Sequence, residues 1–236
     1  MATKNALITG ASRGLGLALA RALATDGWTL IIDARGDDLE DARKELAEHT
    51  TVTAIPGDVT DPAHRAALID AARRVGGLDA LVNNASSLGE SPLPPLVNYP
   101  IDALRQVYEV NVFAPLAMIQ EAVAVLNPGA RIVNVTSDAG VEQYEGWGGY
   151  GSSKAALEQL SNILAAELPQ FRVYWTDPGD MRTDMHQLAF PGEDISDRPL
   201  PEEHAVPGLL ALLRSDLPSG RYQAREVQAR AAQSAG

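Results

Sequence analysis

The chain has 236 residues, a net charge of −12, no cysteine and an apolar fraction of 45%. One α/β domain of this length has ample core, while the absence of thiols excludes disulfides and thiolate metal sites. The acidic balance argues against nucleic acid or an anionic membrane as partner, and no apolar run approaches the ~18 residues of a membrane span. Four scattered histidines, His49, His64, His186 and His204, lack metal-ligand spacing, so no metal is expected. The first residues run straight into an apolar strand, leaving no room for a signal peptide. A soluble, cytoplasmic protein is expected.

Residues Ala6 to Thr9 form a short apolar run ending at Gly10. The stretch from Thr9 to Gly16 follows, with glycines at 10, 14 and 16, and then an alanine- and leucine-rich helix to about Asp26. A strand, a glycine turn and a helix N-terminus make a phosphate cradle, because glycine permits close backbone approach and unpaired N–H groups face the anion. Trp28 to Ile32 is the second strand. It leads to Asp33 and Arg35, where an acidic side chain suits a free ribose 2′-hydroxyl and an arginine suits a 2′-phosphate.

Strand three, Thr51 to Ile55, ends near Asp58 and Val59. Asp61 and Pro62 then open a helix to about Val75 as N-cap and first helical residue. Strand four, Leu78 to Val82, stops at Asn83, Asn84, Ala85 and Ser86. Residues 87–100, rich in proline and serine, read as an exposed loop. Ile101 to Leu126 reads as one long helix carrying Asn111 and Pro115. The proline frees a carbonyl at about Asn111, which predicts a kink or bulge. On the residues alone, Asn111 is either part of a water site there or simply exposed.

Pro128 and Gly129 turn the chain into strand five, Ala130 to Val135, which ends at Thr136 and Ser137. A glycine-rich loop with Tyr144 and Trp147 precedes a helix from Tyr150 to about Leu168. Strand six is Arg172 to Thr176, followed by Asp177, Pro178 and Gly179. The stretch 183–199 is irregular, a helix spans Pro201 to Arg214, and a short segment lies near Arg221 to Gln223. Residues 1–225 form the single domain and residues 226–236 a loose tail or frayed helix. Strands alternating with helices argue for one doubly wound parallel sheet, a Rossmann-type fold. The glycine turn, Asp58, the asparagine pair and Ser137 then share the carboxyl edge of that sheet.

Tyr150 and Lys154, four apart, lie one above the other on a helix face. A phenol with a pKa near ~10 is a poor acid or base at neutral pH. An ammonium about 5 Å away stabilises the phenolate by roughly 3 kcal/mol at an effective dielectric near 20. Tyr150 then becomes a usable general acid/base, and Ser137 a group that holds a substrate oxygen against it. On the pair alone, a surface tyrosine and lysine opening an ordinary helix is the other reading, and context decides between them. Lysine can pass a proton along where arginine cannot, and only three of the chain's nineteen basic residues are lysines.

From about Asn5 to about Gln223 the sequence resembles the short-chain dehydrogenases/reductases. Thr9 to Gly16 resembles the family's cofactor turn, which brings Gly10, Ser12, Arg13, Gly14, Leu15 and Gly16 to the cofactor. Asp58 and Val59 resemble the pair at the adenine ring, and Asn83, Asn84 and Ala85 the strand-four motif, with Ser86 in place of its usual glycine. Asn111, Ser137, Tyr150 and Lys154 match the catalytic tetrad, while Pro178, Gly179 and Thr183 match the segment at the nicotinamide.

The resemblance implies reversible hydride transfer between a nicotinamide and a carbonyl or alcohol. Tyr150 would exchange the proton, Ser137 position the oxygen, Lys154 lower the phenol's pKa and hold the ribose, and Asn111 hold a linking water. Its acidic NAD-selecting position falls on Ala34, and period-two alternation turns Asp33 to the other face. Arg35 and Arg13 match basic positions of NADP-preferring members, so NADP(H) is favoured over NAD(H). Ser86, Tyr144, Trp147 and Met185 are candidate substrate walls, with a possible lid at 185–199. A homodimer or homotetramer through the long helices is implied. A scaffold that binds NADP without turnover and an epimerase or dehydratase relative are the alternatives.

Overall fold

The computed structural model describes residues 3–234. Seven strands, β1 (Asn5–Ile8), β2 (Thr29–Ala34), β3 (Val52–Pro56), β4 (Leu78–Asn83), β5 (Leu126–Val135), β6 (Arg172–Asp177) and β7 (Gly220–Gln223), form one sheet in the order β3-β2-β1-β4-β5-β6-β7. Every neighbouring pair is parallel. Between them run α1 (Gly14–Thr25), α2 (Asp38–Leu46), α3 (Pro62–Arg74), α4 (Ile101–Tyr108), α5 (Ala114–Ala122), α6 (Gly148–Glu167), α7 (Asp184–Ala189), α8 (Pro201–His204) and α9 (Val206–Arg214), and α10 (Ala224–Ser234) follows β7.

Strand alternation divides the core between two faces. Ala6, Ile8, Leu30, Ile32, Ala80, Val82 and Val133 pack under α1, α2, α9 and α10. Leu7, Ile31, Leu81, Ile132 and Val173 pack under α3, α5 and α6. Burial on both faces is why these strands read as continuous apolar runs. The strand order reverses between β1 and β4, which opens a crevice at their carboxyl ends.

Several boundaries differ from the sequence reading. The single helix expected over 101–126 is interrupted by a π-helical turn, Glu109–Phe113, where the Ala114 N–H bonds the Glu109 carbonyl. Pro115 has no N–H to give the carbonyl four residues back, so the ladder widens there instead of running through. The turn carries Asn111 into the interior at 0% exposure, which removes the reading of it as a surface residue. A 3₁₀ turn, Val123–Val125, then ends the helical run, and β5 begins at Leu126, four residues before the expected Ala130. Leu126 pairs with Leu78 before the register shifts to Arg131 against Ala80, and Pro128 and Gly129 occupy that irregularity. A proline fits a strand only at such a break.

The loop 87–100 is not wholly exposed, since Leu88 and Tyr99 bury into the body. The helix expected over 201–214 breaks at Ala205, because Pro207, in the first turn of α9, has no N–H to continue it. At the C-terminus, where a loose tail or frayed helix is expected, α10 extends to Ser234 with Ala224 and Val227 buried. Residues 235–236 lie outside the described residues. Asp61 caps α3 as expected, accepting from the Ala63 N–H at 2.9 Å, with Pro62 behind it.

Candidate active site

A cavity of about 980 Å³ runs along the carboxyl edge of the sheet, from Arg35 and Asp58 past the glycine turn to Tyr150 and Lys154. The turn is shaped for close approach. Gly10 has φ +66°, and a Cβ there would lie 2.9 Å from the Ala85 Cα. The turn is tied to the end of β4 by Thr9 and Asn84. The Thr9 hydroxyl accepts from the Asn84 and Ala85 N–H groups at 3.0 Å each, and the Asn84 side-chain amide donates to the Thr9 and Gly10 carbonyls at 2.9 and 3.0 Å. Asn84 therefore acts here as a brace, with its amide already engaged by the turn.

Asp33 follows the strand's alternation without a bulge, pairing in register with Ile55. Its carboxylate accepts from the Gly10 N–H at 2.8 Å and meets His64 Nε2 of α3 at 3.0 Å, both side chains buried. Its carboxylate is thus engaged by the turn and by α3 at the edge of the cavity. Arg35 lines the same end of the cavity, its side chain 70% exposed and 3.7 Å from Asp58. Arg13 instead spans from the turn to Asp184 at the start of α7, at 3.1 Å. Thr183 caps α7 by accepting from the His186 N–H, and its methyl lies near Gly14. Ser12, Leu15, Val59, Ala85, Pro178 and Gly179 complete this part of the wall.

The four tetrad positions gather at the other end. Ser137 follows β5, Tyr150 and Lys154 stand in the first turns of α6, and Asn111 enters from the π-turn. Asn111 is fully engaged: Oδ1 accepts from the Ser87 N–H (2.7 Å) and the Ser86 hydroxyl (3.1 Å), and Nδ2 donates to the Ser87 carbonyl (2.8 Å) and Ser153 Oγ (2.9 Å). Its side chain fastens the loop after β4 to α6. The Ser137 hydroxyl donates to Asp138 Oδ1 at 3.0 Å and accepts from the Ala139 N–H.

Lys154 Nζ donates to the Val135 carbonyl at 2.8 Å and stands 5.4 Å from the centre of the Tyr150 ring. Burial lowers the amine's pKa to about 7, with Glu158 pushing it back up. Burial likewise raises the phenol above its ordinary value, although the Ser137 and Ser86 hydroxyls pull it down. The electrostatic pull of the amine expected from the sequence is thus outweighed by desolvation, since the same dry environment penalises both charges. What results is a phenol kept protonated beside an amine that can give or take a proton near neutrality.

Tyr144, Trp147 and Met185 line the cavity as expected, beside Leu88 and Phe190, which the sequence did not single out. Trp147 meets Tyr150, Phe190 and Tyr144 with ring centres 5.9, 6.0 and 6.4 Å apart, so this aromatic wall joins the helix of Tyr150 to the segment after α7. Two more residues escaped the sequence reading, Asp138 and Arg221. Asp138 stands beside Ser137, while Arg221 reaches the site from β7 with no motif to mark it.

The residues fit a dinucleotide. The turn has the positive-φ glycine and the close backbone approach that a pyrophosphate needs, an exposed arginine lies at the ribose end, and the cavity has the size for cofactor plus substrate. Among the described residues no group of His, Cys, Asp and Glu is placed to hold a metal, and no helix is long and apolar enough to cross a membrane.

Comparison with known proteins agrees with the geometry. The family described as short chain dehydrogenase matches residues 4–194. An oxidoreductase of Bacillus subtilis, YhdF, is 32% identical over 228 residues, covering 90% of this chain and 78% of its own. The 1-deoxy-11-beta-hydroxypentalenate dehydrogenase of Streptomyces avermitilis is 32% identical over 220 residues, covering 89% and 81%. An alcohol dehydrogenase from Thermococcus sibiricus, solved with 5-hydroxy-NADP, superposes with a TM-score of 0.84 at 29% identity, covering 94% of this chain and 96% of that one.

Proposed function

The chain belongs to the short-chain dehydrogenase family, and from that premise we propose that it is an NADP(H)-preferring carbonyl reductase or alcohol dehydrogenase acting on a small, largely apolar ketone, aldehyde or secondary alcohol. The observation that carries this reading is the convergence of Tyr150, Ser137 and Lys154 at one end of the cavity whose other end holds Arg35 and Asp58, with Asn111 buried behind that wall. The nicotinamide nucleotide, when bound, supplies or takes up the hydride. Gly10, Gly14 and Gly16 would let its phosphates approach the backbone, and Lys154 is the residue for its nicotinamide ribose. Tyr150 gives its proton to a carbonyl oxygen that gains charge, a role that a phenol kept protonated suits. Ser137 holds that oxygen against Tyr150, and Lys154 replaces the proton. Trp147, Phe190, Leu88 and Met185 favour an apolar substituent on the substrate.

Preference for the 2′-phosphorylated cofactor rests on Asp33 being held by Gly10 and His64 while Arg35 stays exposed. The T. sibiricus relative bound to 5-hydroxy-NADP supports the same preference. Arg35→Ala is expected to weaken NADPH about 10- to 100-fold, the worth of a charged hydrogen bond, and NADH hardly at all. Fluorescence titration of both cofactors measures this, and equal losses for the two would reverse the assignment. A panel of ketones, aldehydes and quinones, followed by the loss of NADPH absorbance, tests the reaction. Cofactor binding without turnover of any panel member would point to the non-catalytic scaffold instead.

The assembly we propose is a homodimer or homotetramer. Ile101 of α4, Phe113 of the π-turn and Ile163 of α6 are 60%, 51% and 43% exposed. A second copy packed on these helices would cover them.

A further inference from the structure

Near Tyr150 and Lys154 lies a largely buried charge cluster that the proposed chemistry leaves unused. Glu158 sits one helical turn beyond Lys154 on α6 and is 9% exposed. Its carboxylate accepts from the Thr136 hydroxyl at 2.8 Å and from Arg221 Nε at 3.0 and 3.1 Å. Arg221 comes from β7, the last strand. Its guanidinium also donates to the Ser137 carbonyl at 3.4 Å and stands 3.9 Å from Asp177 at the end of β6. Four elements thus meet around one ion pair, directly beneath the hydroxyl and amine of the candidate site.

We propose that Glu158 and Arg221 are a positioning pair that sets the charge carried by the Lys154 amine, and through it the pH range in which Tyr150 exchanges its proton. The inference rests on Lys154 being the group that supports Tyr150. The amine makes its hydrogen bond to the Val135 carbonyl, a neutral acceptor, so its charge depends on groups farther off. Tyr150 and Glu158 stand beside it on its own helix. The other charged groups of the cluster are Asp138 bonded to Ser137, Arg221 on β7 bonded to Glu158, and Asp177 at the end of β6 beside Arg221.

Glu158 stands at i,i+4 from Lys154, a spacing that puts the two Cβ atoms about 6 Å apart, and it favours the protonated form of the amine. Arg221 lies on the far side of that carboxylate and also near Asp177, so it offsets both anions. The field at Lys154 is therefore a difference between an anion and the cation bound to it. Removing either partner moves the amine in opposite directions, an outcome that a purely structural ion pair does not produce.

Lys154 is one of only three lysines, with Lys4 and Lys44. Its amine can be followed in cofactor-free protein by lysine-selective ¹³C and ¹⁵N NMR, with signals assigned through Lys4→Arg and Lys44→Arg. Glu158→Gln, which keeps the shape of the side chain, is expected to lower the Lys154 titration midpoint by about one pH unit. Arg221→Gln is expected to raise it by a similar amount, and Arg221→Lys to restore most of the change. Thr136→Val removes a hydrogen bond to Glu158 but no charge, and is expected to leave the midpoint in place. The alkaline limb of kcat/KM against pH should follow the same order.

Midpoints that stay put in Glu158→Gln, move the same way in both charge variants, or move equally in Thr136→Val overturn the proposal. If Arg221→Gln fails to fold, the contrast of Glu158→Gln with Thr136→Val and Arg221→Lys decides it alone. Opposite shifts in a protein that turns over no substrate would uphold the pair and count against the enzymatic reading.

Discussion

Tyr150 and Lys154 show how burial works on two adjacent ionisable groups at once. The phenol is raised and the amine is lowered to about 7, both chiefly by loss of water. Tyr150→Phe removes the proton but little volume, so turnover is expected to fall about 10²- to 10⁴-fold with cofactor affinity essentially unchanged. Steady-state kinetics beside a cofactor titration checks this, and retained turnover removes Tyr150 from the acid/base role.

Lys154 carries a cost to folding. Its pKa is 10.5 when unperturbed and about 7 in the fold, so the unfolded chain binds more protons between those values. This group's cost is therefore complete below about pH 7 and fades as pH rises toward 10.5, so that its effect is to make stability rise with pH in that window. Lys154→Met is expected to abolish turnover yet stabilise the protein by about 1–3 kcal/mol at pH 6.5, after the lost hydrogen bond to Val135, and by less at pH 9. Denaturant midpoints at the two pH values measure the difference, and a destabilised variant at pH 6.5 contradicts it.

Among the elements, the glycine turn and the helix after it depend on one close contact. A Cβ on Gly16 would lie 2.3 Å from the Gly10 carbonyl oxygen and 2.6 Å from the Asn84 amide nitrogen. Backbone cannot yield there as a flexible side-chain tip would. Gly16→Ala is expected to destabilise by about 1–3 kcal/mol, as overpacking does, and to weaken NADPH binding sharply. Thermal melts and cofactor titration read the two effects, and unchanged cofactor affinity would show that the turn does not form the cradle. The π-turn is a second local device, since it exists because Pro115 cannot donate and it brings Asn111 inward to fasten the loop after β4 to α6. Toward the glycine turn, α7 is tied by the exposed Arg13–Asp184 pair, a contact worth little in water, while Ser91 bonds the Leu188 carbonyl and Met185 and Ala189 pack beside Leu88 and Tyr150.

For the whole molecule, the strand order places every site residue on one edge and leaves the outer sides of α4 and α6 apolar in part. If a second copy covers them, the wild-type protein sediments as a dimer or tetramer of the 25.1 kDa chain and Phe113→Asp sediments as a smaller species. A wild-type monomer at working concentration would sink the proposed assembly.

The amino-acid sequence by itself determined most of the strands, the glycine turn, the strand alternation through Asp33, and the placement of Ser137, Tyr150 and Lys154. Those features depend on periods of two and of 3.6, on turn residues and on helical spacing, all of which act over a few neighbouring positions. Only the tertiary structure decided that β5 starts at Leu126, since that end exists through pairing with Leu78, and that Asn111 is buried. It also decided that Asp33 meets His64, that Arg13 reaches Asp184 and that Arg221 closes on Glu158. These contacts join residues far apart in the chain, and their desolvation can outweigh the charge effects that spacing alone suggests. Local pattern therefore says which groups stand at the edge of the sheet, while packing sets which of them touch and what charge they carry.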